Sequence, residues 1–96
     1  MSKERYRVVH DAQTRRFKLT INGIEVSHAI YEVQEDTIII ISTYTQPQYR
    51  GRGLAARLMR AIVDFAEERR LNIKPACSYA VHFFKKHPEY EHIIRW

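Results

Sequence analysis

Disulfides are excluded within this chain, because it has a single cysteine, Cys77. A lone thiol suits a reducing compartment, so a cytoplasmic setting is expected; such a thiol is either a small core residue or a reactive group. No apolar run approaches the ~20 residues that a membrane-spanning helix needs. The opening Met1-Ser2-Lys3-Glu4-Arg5 leads into alternating residues with no apolar core, so no secretory leader is expected. Internal repeats, low-complexity tracts and linkers are missing as well. The 96 residues therefore read as one domain, residues 1–96, with one modest core. Glycine is scarce at three residues, and two of the three lie one residue apart.

What is present is an ordinary folded composition, 45% hydrophobic and 28% charged. The formal net charge is +5. Such a balance favours a polyanionic partner or a phosphorylated cofactor, or simply keeps a small protein in solution.

The patterning changes once, near residue 46. Tyr6–His10 and Arg16–Ile21 suit strands, and in the second Phe17, Leu19 and Ile21 alternate with polar residues. Asn22-Gly23 predicts a tight hairpin loop. Ile24–Val33 is the returning strand, and Gln34-Glu35-Asp36 the next turn. Thr37-Ile38-Ile39-Ile40-Ile41 is β-branched without a break, which predicts a central strand buried on both faces. After Pro47, Leu54, Leu58, Ile62 and Phe65 follow a helical course, predicting an amphipathic helix over Gly53–Arg69. Asn72–Lys74 is a brief strand. Cys77–Lys86 reads as a second helix ended by His87-Pro88. Glu89–Trp96 is a tail expected to pack back on the body as a last strand.

The two close glycines fall in Gln48-Tyr49-Arg50-Gly51-Arg52-Gly53-Leu54, between strand and helix. Glycine permits positive φ there and lets backbone N–H groups approach a ligand. The first N–H groups of the helix lack internal partners, and its dipole adds positive charge. The result is an anion site to which phosphate is suited, with Arg50 and Arg52 at its mouth. Gly51-x-Gly53-x-x-Ala56 matches a dinucleotide fingerprint only in letters. No strand runs directly into the first glycine, and no acid stands about 20 residues on. No G-K-[S/T] follows, which excludes a Walker loop. Arg-rich, Gly-rich RNA segments are long tracts, whereas this one leads into a patterned helix; nucleic acid is therefore disfavoured.

Gln48-x-x-Gly51-x-Gly53 is similar to the Q/R-x-x-G-x-G/A signature of the GNAT acetyltransferase superfamily. Pro75-Ala76-Cys77-Ser78-Tyr79 and His87-Pro88-Glu89-Tyr90 resemble segments of its minimal branch of about 100 residues with a central cysteine. Together the resemblance covers roughly residues 6–94. It implies an α+β fold with a mostly antiparallel sheet: a four-strand meander, a helix, a short fifth strand and a second helix. The fourth and fifth strands of that fold splay apart. It implies acetyl-CoA as cosubstrate and N-acetyl transfer to an amine, either a small molecule or a protein lysine. The alternative is an acyl-CoA-binding or sensing module with little turnover, since larger members build an acceptor groove from N-terminal helices absent here.

By the same resemblance, Thr43, Tyr44 and Thr45 would pair with the pantetheine arm. Backbone N–H groups over Gln48, Tyr49, Arg50, Gly51, Arg52 and Gly53, running into Leu54 and Ala55, would hold the pyrophosphate. Cys77 would lie beside the acetyl group. At a helix N-terminus its thiolate is favoured, so it could attack the thioester; it could equally be a small residue lining the site. Tyr79 is the candidate to protonate the leaving CoA thiolate, because Phe83 occupies the next turn. Ser42 departs from the branch, which often has histidine there; a base would then come from His28 or His82. The histidines show no metal spacing, and no metal is expected. Lys85-Lys86 either reaches the 3′-phosphate or is a solvated face. A monomer or weak dimer is expected.

Overall fold

The computed structural model describes residues 3–96; Met1 and Ser2, which open the segment for which no secretory leader is expected, lie outside the described residues. Strands β1 (Tyr6–Asp11), β2 (Arg16–Ile21), β3 (Ile24–Gln34) and β4 (Thr37–Thr45) run first. A 3₁₀ turn (Pro47–Tyr49) leads into helix α1 (Leu54–Arg69). Strand β5 (Asn72–Pro75), helix α2 (Ser78–Lys86) and a second 3₁₀ turn (Pro88–Ile93) complete the order. The sheet follows sequence order, with β1 to β4 antiparallel and β5 parallel to β4. This is the expected mixed α+β architecture. Among the described residues no helix is long and apolar enough to cross a membrane.

Local chemistry accounts for the connections. Asn22 and Gly23 both take positive φ, 52° and 83°, as the primed hairpin turn between Ile21 and Ile24 requires. Arg70 caps α1 in the left-handed region, and its N–H and that of Leu71 take up the last carbonyls of the helix. Phe17, Leu19, Ile21, Ile38, Ile40 and Ile73 from the sheet pack on Leu58, Met59, Ile62, Val63 and Ala66 of α1, with Ala80, Phe83 and Phe84 of α2.

Two bulges shape the sheet. Register shifts between Leu19 and Thr20 leave Val26 unpaired on β3, so that Val26 and Ser27 are both buried. The second shift makes Ile30 oppose Ser42 while Tyr31 opposes Ile40, which leaves Ile41 as the extra residue of β4. A bulge bends its strand and raises the local twist. β5 pairs with β4 only from Thr37 to Ile40, followed by one bond from the Ala76 N–H to the Ile40 carbonyl, so the segment beyond Ile41 has no β5 partner.

Two expectations are corrected. The isoleucine run of β4 is buried on one face only: Ile38 and Ile40 are fully buried, but Ile39 is half-buried and Ile41 is 39% exposed. Val9, Ile30, Ile39 and Ile41 are not among the residues of the packed apolar cluster. The tail does not form a last strand. It packs back on the body as expected, through Tyr90, Ile93 and Ile94, but as the 3₁₀ turn at Pro88–Ile93, with a parallel bridge between Ile73 and Ile94, the Arg95 N–H donating to the Ile73 carbonyl and Lys74 Nζ donating to the Trp96 carbonyl. Proline at its start suits a first helical turn better than a ladder that needs every N–H.

Candidate functional site

The site begins where β4 loses its neighbour. The Gln46 N–H donates to the Val26 carbonyl, and Ser27 Oγ donates to the Tyr44 carbonyl, so the backbones of Tyr44 and Gln46 face β3. Strand alternation turns the N–H and C=O of Thr43 and Thr45 the other way, into the gap left by β5. This is an open strand edge of four polar groups. One of them is already occupied: Arg50 Nε donates to the Thr45 carbonyl at 2.9 Å, with the guanidinium 5.7 Å from the Tyr44 ring centre.

At the far end of this edge stands the entrance to α1. Gly51 and Gly53 have φ of 81° and 75°, and Gly53 is the N-cap in the left-handed region with no side-chain cap. A Cβ at either glycine would meet nothing within 4 Å, so backbone conformation rather than space requires glycine here. Of the N–H groups assigned to the anion site, those of Tyr49 and Arg50 are used within the turn, donating to the carbonyls of Gln46 and Pro47. This narrows the expected cradle. Gly51, Arg52, Gly53, Leu54, Ala55 and Ala56 find no N–H acceptor among the described residues, the first helical bond running from Arg57 to Gly53. No acid stands in the first turn.

Between the edge and the helix lies a cleft of about 430 Å³ lined by Thr43, Tyr44, Thr45, Arg50, Gly51, Gly53, Leu54, Ala55 and Tyr79. Three of the expected binding residues stand off it. Gln48 hydrogen-bonds Gln46, which in turn donates to the Glu25 carbonyl, so Gln48 braces the turn against β3. Tyr49 lies under the Arg52 guanidinium, and Arg52 reaches away to Glu4 at 3.4 Å.

Cys77 caps α2 and does not line the cleft, but its Sγ lies 3.4 Å from Thr43 Oγ1, across the mouth of the splay. Tyr79 does line the cleft, and burial raises its hydroxyl pKa above the ordinary tyrosine value, with the Arg60 charge opposing. Phe83 is 3% exposed and stacks among Phe84, His87 and Tyr90, so it belongs to the core. His28 lies on the helix-free face, with Nδ1 3.1 Å from Glu25 Oε2 and its ring 5.8 Å from that of Tyr44. Lys85 and Lys86 are exposed at the C-terminal end of α2, away from the cleft lining.

Ser27 supports this strand edge, and its place there is not evident from the sequence. It is 1% exposed, and its Oγ meets both the Tyr44 carbonyl and Thr45 Oγ1, at 2.9 and 2.7 Å, holding the free end of β4. A small polar residue between Val26 and His28 in an otherwise strand-like segment was its one visible signal.

A family model described as GCN5-related N-acetyltransferase matches residues 16–93. Protein NATD1 of Danio rerio is 33% identical over 93 residues, spanning 95% of this chain and 84% of that one. The NMR structure of a GCN5-like protein from Staphylococcus aureus superposes with a TM-score of 0.75 at 23% identity, covering 93% of this chain and 87% of that one. A protein from Clostridium acetobutylicum solved with acetyl-CoA superposes with a TM-score of 0.58 at 19% identity, covering 75% and 55% of the two chains. The last two likenesses speak to the fold.

Proposed function

The chain belongs to the GCN5-related N-acetyltransferase family, and on that premise we propose that it binds acetyl-CoA in the β4–α1 cleft and transfers the acetyl group to an amine. One observation carries the reading: the unpaired Thr43–Thr45 edge and the free N–H groups at the α1 entrance open into the same cleft. An edge of alternating donors and acceptors suits an amide-bearing pantetheine arm. Unpartnered N–H groups at a helix entrance suit a pyrophosphate. That a fold neighbour from Clostridium acetobutylicum was solved with acetyl-CoA supports this reading. Placement in the minimal branch with a central cysteine rests on Pro75–Tyr79 and His87–Tyr90, and the lone thiol favours a reducing, cytoplasmic setting.

On this reading, the Thr43 and Thr45 backbone aligns the thioester with the splay, and Arg50 leaves the Thr45 carbonyl when the pantetheine enters. The amine nitrogen forms its bond to the acetyl carbon and the C–S bond breaks. Tyr79 gives its proton to the departing thiolate, and the proton lost by the amine passes to solvent or to a base. Cys77 has two roles open to it. Either its sulfur lines the acetyl group during direct attack, or it accepts the acetyl first, releasing CoA, and then passes it to the amine. Acetylated protein formed from acetyl-CoA without an amine, and lost in Cys77→Ala, marks the second route.

The test of binding is a titration of acetyl-CoA followed by amide shifts. Residues 43–55 are expected to move together, and no response there overturns the reading. A second reading has its own support. Of the two candidate catalytic residues only Tyr79 lines the cleft, while Cys77 stands off it, which favours an acyl-CoA-binding module with little turnover. Binding without CoA release across a panel of small amines and lysine peptides selects it.

A further inference from the structure

The opposite edge of the sheet carries an inference independent of the acetyl site. β1 pairs with β2 through six uninterrupted residue pairs and, among the described residues, has no strand on its other side. Exposed edges are usually blunted by proline, lysine, a bulge or a covering element. β1, Tyr6-Arg7-Val8-Val9-His10-Asp11, has no proline, no lysine and no bulge, and Val8 and Val9 are 37% and 38% exposed. Val8 pairs with buried Leu19, so it points to the helix-bearing face, where its neighbours Tyr6 and His10 meet Arg57 and Phe65 of α1 while Val8 itself stays exposed.

We infer that β1 is a homodimerisation edge, pairing antiparallel with β1 of a second copy about a two-fold axis at Val9. Backbone alternation fixes which groups are available. Arg5 exchanges bonds with Asn22 on the β2 side, so Arg7, Val9 and Asp11 also face β2. Tyr6, Val8 and His10 therefore turn their N–H and C=O groups outward. A two-fold at Val9 sets Val8 of each copy opposite His10 of the other, so outward groups meet outward groups, as an antiparallel ladder demands. Val9 then meets Val9 as a close, non-hydrogen-bonded pair. Arg7 of each copy falls opposite Asp11 of the other, on the same face.

Charge singles out this register. Arg7 is exposed and makes no side-chain hydrogen bond or ion pair among the described residues. Asp11 is held ionised, its pKa lowered by the Thr14 and Lys18 hydrogen bonds, and Lys18 Nζ sits 3.2 Å from it. An axis at Arg7 would set arginine against arginine, and an axis at Val8 would set Arg7 against valine. Opposite charges directly across a ladder stabilise and like charges destabilise. One short strand pair buries less than a standard interface, so the dimer dissociates on dilution.

Sedimentation across protein concentration, with amide exchange, tests this. The wild type is expected to dimerise as concentration rises, with the Tyr6, Val8 and His10 amides gaining protection. Val9→Lys sets two lysines face to face on an exposed position and is expected to raise the dissociation constant about tenfold. Arg7→Asp does the same, and adding Asp11→Arg restores association. Circular dichroism confirms that each variant is folded. A wild type that stays monomeric to about 1 mM, the weak end of binding, overturns the inference. So does a dimer that ignores Val9→Lys, or one that leaves those three amides unprotected.

Discussion

Tyr79 lines the cleft, and burial raises its hydroxyl pKa above the ordinary tyrosine value. A group that stays protonated through neutral pH is a proton donor, not a base. Tyr79→Phe is expected to lower kcat about 100-fold, a typical worth for a positioned acid, while acetyl-CoA affinity by calorimetry stays near wild type. A fall in affinity instead would make Tyr79 a binding residue. His10 predicts a pH effect remote from the cleft. Its Nε2 lies 2.6 Å from the Tyr31 hydroxyl, and its ring stacks on Phe17 at 4.0 Å. Burial lowers its pKa, the Arg69 charge lowers it further, and Asp11 opposes. The unfolded chain therefore binds the His10 proton more readily than the folded one. Its contribution to stability is complete above the unfolded value of about 6.5 and is lost as pH falls through and below it. Thermal melts at pH 7.5 and 5.5 are expected to differ more for the wild type than for His10→Gln.

The entrance to α1 shows what an element owes to two backbone angles. Gly53 caps the helix at φ 75°, where an L side chain is strained by roughly 1–2 kcal/mol. Gly53→Ala is expected to lower stability by about that much in denaturant melts and to weaken acetyl-CoA binding as the free N–H groups tilt. This entrance was legible in the sequence, because two glycines interrupt one pattern and a helical period begins after them. The Asn22-Gly23 turn was legible for the same reason. β4 was not: five β-branched residues in a row carry no alternation, so nothing in them says which face is dry. The answer lay in the placement of α1 and α2, which no local residue records. The bulges were hidden likewise, since Val26 and Ile41 differ from their neighbours only by what stands across from them. Chemical roles stopped at Cys77, whose identity marks a thiol but whose contact with Thr43 arises from residues 34 apart.

On the scale of the molecule, the sheet has a covered face, a bare face, an open outer edge at β1 and an open inner edge on β4. The covered face and both edges are products of register as much as of composition. The covered face holds the apolar cluster, and the inner edge exists because pairing between β4 and β5 stops at Ile40 and Pro75. Ile41 sits at that stopping point, 39% exposed and opposite nothing. Its removal would leave every β3–β4 pairing in place, Ile30 with Ser42 and Ala29 with Thr43, while taking out the bend. Deletion of Ile41 is thus expected to raise the melting temperature and abolish the acetyl-CoA response of residues 43–55; a deletion variant that still binds would show that the splay has another origin. On the proposed reading, one extra residue in β4 separates an uninterrupted sheet from an open cleft. A lineage could gain or lose the site through a single-codon insertion or deletion, an event that counts of substitutions never see.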